Sequence, residues 1–247
     1  MSQAVNAQLR SVHDIIRDAR VSQAPNGICY TTAGEIMLPS DDLERIVGAV
    51  PRTIAAALDR KAFYFVPLTI GEGDKTLVAE RFDGPPMEGA LCHRNIDSGN
   101  AQCVFISTRL LEERFAIAFE FYINVGHAFV DKAGISPEFA ELAWAQAVKN
   151  VRGETSFDAN EFRKQVQSLS AGRVDEKIKS DYLAATFSDS IAIYLLSLCL
   201  DVDYYELRER EYPLLAPSAL AERLKKIAEL FPPNPGFQFD IRYRRKS

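Results

Sequence analysis

The stretch AQCVFISTRLLEERFAIAFEFYINVGHAFVDK, residues 101–132, decides the fold. Its opening, Ala101–Ser107, is rich in apolar, β-branched and aromatic side chains and reads as a strand. From Leu111 the pattern changes. Between Phe115 and Val130 only Glu120, Asn124 and His127 are strongly polar, so apolar residues occupy nearly every face of a helix. A helix of that kind must be buried, and residues 111–132 are therefore expected to form the central helix of a core. Gly134 follows as a helix-ending glycine.

Working upstream, residues 62–70 form an aromatic and β-branched run whose Pro67 places it at a sheet edge or at a bulge. Residues 71–74 read as a turn into a second run, 75–82, which makes the pair a hairpin. Residues 90–96 are a short third strand. Ser40 is a candidate N-cap, with Asp41 and Asp42 in the first turn of a helix reaching to about residue 59, and Pro51 is expected to kink or split it. Residues 1–20 are expected to be helical. Downstream, Ser136 and Pro137 open a helix to about 152. Further helices are expected over 158–170, 175–200 and 217–230, and residues 237–243 alternate like a strand. Strands precede helices instead of alternating with them. The expectation is an α+β domain: a small, mainly antiparallel sheet packed on a central apolar helix, with a helix-rich C-terminal half. One domain is expected over 1–247, with an N-terminal helix and loop (1–39), a core (40–200), and a C-terminal helix and extended tail (201–247).

Charge and cysteine usage narrow the function classes. A net charge of −5 disfavours a nucleic-acid partner held by phosphate contacts. The first twenty residues mix Arg, Asp and Gln and contain no apolar leader segment. The apolar run IAIYLLSLCL, residues 191–200, is about half the length of a bilayer span, so no membrane partner is expected. The four cysteines are scattered without a CxxC pair and read as reduced thiols, which together with the N-terminus points to the cytoplasm.

A strand running into Leu-Leu-Glu-Glu-Arg (110–114) and then an apolar helix resembles the entry to the active-site helix of zincin metallopeptidases. The resemblance is closest to a small bacterial group related to regulators that cleave phage repressors, in which an edge strand, an acidic-basic turn and an HExxH helix follow one another. Ser188-Asp-Ser-Ile-Ala-Ile-Tyr-Leu-Leu196 resembles the second helix of that group, where an acidic zinc ligand precedes a small-residue and Leu-Leu run. The resemblance spans roughly residues 40–200 and implies a zincin-like fold without an intact HExxH. HExxH sets two His one helical turn apart as zinc ligands, with the Glu as base for the bound water. One alignment puts Phe119, Glu120 and Ile123 on the motif, keeping the base and losing both ligands. A second puts Ile123 to His127 there, keeping one ligand and losing the base. The third-ligand position falls on Phe187 or Asp189. His13, His93 and His127 are the only histidines in the chain, so a His-rich site cannot be rebuilt elsewhere.

The resemblance therefore implies a metallopeptidase relative that has lost its zinc ligands and serves as a non-catalytic binding or regulatory domain. No cofactor is expected, the partner would be a protein or peptide, and Phe119, Ile123 and His127 would line the remnant pocket. The alternative is a metal-dependent hydrolase with an altered site, in which zinc is held by His127 and Asp189 and Glu120 is the catalytic base. A further set, Cys92 and His93 with Cys103 and His127, has enough donors for zinc, but neighbours on a strand point to opposite faces. Gly71 to Lys75 lies between two strands and reads as a turn, not a phosphate loop.

Overall fold

The structure is a computed structural model, which describes residues 9–71, 75–81, 91–109, 114–168, 175–207 and 212–241. The turn at 72–74, the Leu110 to Glu113 part of the zincin-like entry and the basic tail 242–247 lie outside these residues. The chain divides into two compact units, Met1–Phe121 and Tyr122–Ser247.

The first unit carries the strands. They are β1 (Leu9–Ser11), β2 (Ser22–Gln23), β3 (Cys29–Thr32), β4 (Lys61–Val66), β5 (Leu68–Ile70), β6 (Thr76–Ala79), β7 (His93–Ser98) and β8 (Ala101–Ser107). They form a three-stranded sheet in the order β1-β6-β5 and a five-stranded sheet in the order β2-β3-β4-β8-β7. Four of the six pairings are antiparallel, and the inner pairs β3–β4 and β4–β8 are parallel. Sequence order alone suggested one hairpin from 62 to 82, and the structure corrects this at Pro67. Proline has no N–H for the ladder, so the run breaks there. The residues before it join the five-stranded sheet, and those after it pair with β6.

Helix α1 (Val12–Asp18) is shorter than the pattern over 1–20 suggested. The Ser11 hydroxyl accepts the Asp14 N–H and caps it, while Leu9 to Ser11 pair with β6 instead. Val12 and Ile15 pack with Tyr64, Val66, Cys103 and Phe105 on one face of the large sheet. Pro51 splits the next helix into α2 (Ser40–Gly48) and α3 (Arg52–Ala55). Pro39, not Ser40, occupies the N-cap position of α2, and no side chain caps it. Instead the buried Asn26 amide donates to the Val47 and Val50 carbonyls at the other end. On the opposite face of the sheet lies the start of helix α4 (Arg114–Ala133), within the first unit: the Phe121 ring lies 4.8 Å from Phe63 and 5.5 Å from Phe65.

The second unit holds the rest of α4 with α5 (Pro137–Val148), α6 (Phe157–Ser168), α7 (Glu176–Cys199) and α8 (Pro217–Leu230). Gly134 ends α4 at a φ of +75°, and the Ser136 hydroxyl accepts the Phe139 N–H to open α5, as the sequence suggested. Gly126 is required by close helix packing. A Cβ there would stand 2.5 Å from the Ser188 carbonyl oxygen, so α4 and α7 cross where no side chain intervenes. Helix α7 is long and apolar enough to span a membrane by composition, but 78% of its most apolar window is buried within the fold, as in a core helix. The strand expected at the C-terminal end is absent from described residues 237–241, and Phe239 packs its ring on Tyr194 instead.

Candidate functional site

Strands β7 and β8 are joined by a two-residue turn at Gly99 and Asn100, with Gly99 at a φ of +59°. Glycine in the first central position suits the tight turns that hairpins use. The register places His93 opposite Ile106, and Ile106 opposite Phe65 on β4. Residues opposite one another share a face of the sheet. His93 therefore points to the face on which the start of α4 lies, and its Nδ1 lies 2.6 Å from Glu120 Oε1. Glu120 is the residue that one of the two alignments places on the metallopeptidase base.

This contact changes what Glu120 can do. Its hydrogen bond favours the imidazolium and holds His93 above its ordinary pKa, against an opposing effect of burial. A pKa raised on folding contributes stability that is complete below the unfolded value of about 6.5 and is lost as pH rises through the folded value. In an NMR titration, His93 is expected to titrate at lower pH in Glu120→Gln than in the wild type. An unchanged His93 pKa would show that the pair is not formed in solution.

Glu120 belongs to the first unit, whereas His127 and Asp189 belong to the second. His127 is exposed on α4. Asp189 accepts the Thr155 hydroxyl at 2.9 Å. Phe119 and Ile123 are half-buried, so the face of α4 that bears them is less enclosed than its apolar composition implied. Phe115 and Phe119, one turn apart, bring their rings to 5.8 Å. Phe187, the alternative third-ligand position, is fully buried among Phe139, Phe129 and Phe231, with ring centroids at 4.7, 6.3 and 6.3 Å. Cys92 is exposed while Cys103 is buried beside Tyr64. Among the described residues, no three His, Cys, Asp or Glu side chains come together as metal ligands.

Among the described residues, a buried polar cluster that no sequence motif announces lies in the second unit. Glu154 is completely buried, and two guanidinium groups hold it: Arg163 at 3.1 Å and Arg223 at 3.0 Å. The Tyr182 hydroxyl donates to Glu154 at 2.8 Å, and Arg223 also donates to Gln146 and Tyr182. Burial opposes the charge of Arg223, but Glu154 and Tyr182 outweigh it and keep its pKa above the ordinary value. Gly153 lets the chain reach this position, since a Cβ there would lie 2.1 Å from the Leu214 carbonyl oxygen. Glu154 then donates its backbone N–H to Pro213 and accepts that of Leu215. The cluster thus ties α5, α6, α7 and α8 to the loop before α6. Its sequence signal was Arg223, a charged residue on the apolar stripe formed by Leu220, Leu224 and Ile227.

Compared with known proteins, the chain matches no family model, no curated protein and no solved structure.

Proposed function

We propose that this chain is a non-catalytic binding or regulatory domain related to zincin metallopeptidases, working in the cytoplasm on a protein or peptide partner. One observation carries the reading. The resemblance offers two positions for the acidic zinc ligand: Phe187, whose ring is locked in an aromatic cluster, and Asp189, whose carboxylate accepts the Thr155 hydroxyl. Phenylalanine has no lone pair to offer a metal; the same holds for Phe119 and Ile123 at the imidazole positions of one alignment, and the other alignment keeps His127 alone. A hydrolytic zinc needs three protein ligands and an open place for water. Glu120 remains, but its carboxylate is engaged by His93. Without a metal to polarise water, a lone carboxylate is a weak catalyst of peptide hydrolysis.

The altered-site hydrolase is the competing reading. It requires Glu120, His127 and Asp189 to act on one metal, yet Asp189 bonds to Thr155 and Glu120 to His93. The two readings separate in an assay of wild type and Glu120→Gln on a mixed peptide library. No cleavage by either protein is expected. Cleavage by the wild type that Glu120→Gln abolishes would establish the hydrolase.

A further inference from the structure

Strand β7 is the end strand of the five-stranded sheet among the described residues, and the hydrogen bonding shows which of its groups face outward. Ser107 donates its N–H to the Cys92 carbonyl, so Cys92 and Ser107 form a bonded pair of the antiparallel ladder. Bonded and non-bonded pairs alternate along such a ladder. Arg94, Ile96 and Ser98 therefore bond to β8, while the N–H and C=O groups of His93, Asn95 and Asp97 point away from the sheet. Three donors and three acceptors thus stand in a row along an exposed strand. An edge of this kind is a template for another strand.

We propose that the outward edge of β7 pairs antiparallel with the same edge of a second copy of this chain, about a two-fold axis through Asn95. The charges along the strand select this occupant and this register. With Asn95 opposite Asn95, His93 faces the partner's Asp97 and Asp97 faces the partner's His93. Sliding the strands until Asp97 meets Asp97 sets like charges directly opposite, which destabilises a pair, and His93 opposite His93 does the same when both imidazoles are protonated. The contact with Glu120 favours the charged form of His93 and so sharpens the choice. A two-fold contact is self-complementary by construction, and here the sequence of one strand supplies both signs. One six-residue ribbon is small beside the roughly 1,200 Å² of a stable interface, so the dimer is weak and depends on concentration. The inference is independent of the zincin reading, because a dimer forms or fails to form whatever the ancestry of the fold.

The test is sedimentation of the full chain over a concentration series, together with directed cross-linking. The wild type is expected to rise from one chain mass towards two. Asn95→Pro should remain at one chain mass while keeping its circular dichroism, since the N–H it loses points outward and proline is tolerated on such an edge. In a Cys92→Ser background, Asn95→Cys should oxidise to a disulfide-linked dimer, because bonded partners stand about 5.5 Å apart at Cα, within disulfide range. Arg94→Cys in the same background faces the partner's Ile96 and should not cross-link. A wild type that stays at one chain mass at every concentration would overturn the proposal. So would a dimer that survives Asn95→Pro, or cross-linking at Arg94→Cys that equals that at Asn95→Cys.

Discussion

Glu154→Ala is expected to destabilise the second unit by about 3–5 kcal/mol, the usual cost of removing one partner from a buried ion pair. The carboxylate is the only anion held between Arg163 and Arg223 in this cluster, whose side chains are 8% and 0% exposed. Removing it leaves two guanidinium groups with like charge in a region that water does not reach. Tyr182 loses its acceptor as well. The backbone bonds of residue 154 to Pro213 and Leu215 survive the change, so the loss reports on the side chain. Urea unfolding followed by circular dichroism should show a large fall in midpoint with little change in slope. A loss under about 1 kcal/mol would mean that the carboxylate is solvated and the cluster is not formed.

Phe187→Ala is expected to cost about 3–5 kcal/mol, the range for truncating a buried aromatic side chain. The ring is fully buried and meets three other phenylalanines, from α4, α5 and the end of α8. The gap left behind cannot close readily, because Gly126 already brings α4 against the backbone of Ser188 beside it. The same denaturant experiment decides the matter. A small cost would mean that Phe187, one of the two candidate third-ligand positions, faces solvent instead of an aromatic cluster.

Much of the fold was legible in the sequence because its determinants are local. The apolar run around Phe121, the capping pair Ser136 and Pro137, and Gly134 at the end of α4 each act within a turn or two of chain. The α+β order follows from them. Pro67 was legible as an interruption, but the consequence, one run shared between two sheets, depends on partners at residues 102–107 and 76–79. The candidate site was less legible for the same reason. His93 meets Glu120 across 27 residues of sequence only because the β7–β8 register and the position of α4 on the sheet agree. Glu154 lies in a loop and looks like an ordinary surface residue until Arg163 and Arg223 arrive from two helices. Arg223 could have given the cluster away, since a charge on an apolar stripe must find a buried partner.

If the chain is the zincin relative proposed above, it carries no catalytic metal. This central claim is tested most directly by elemental analysis of the full chain purified without chelators and then dialysed against zinc at low concentration. Neither alignment supplies three ligands, which predicts zinc far below one atom per chain, and no change in that level for His127→Ala or Asp189→Ala. One tightly held zinc per chain, lost when His127 or Asp189 is replaced, would contradict the account and establish the altered-site hydrolase in its place.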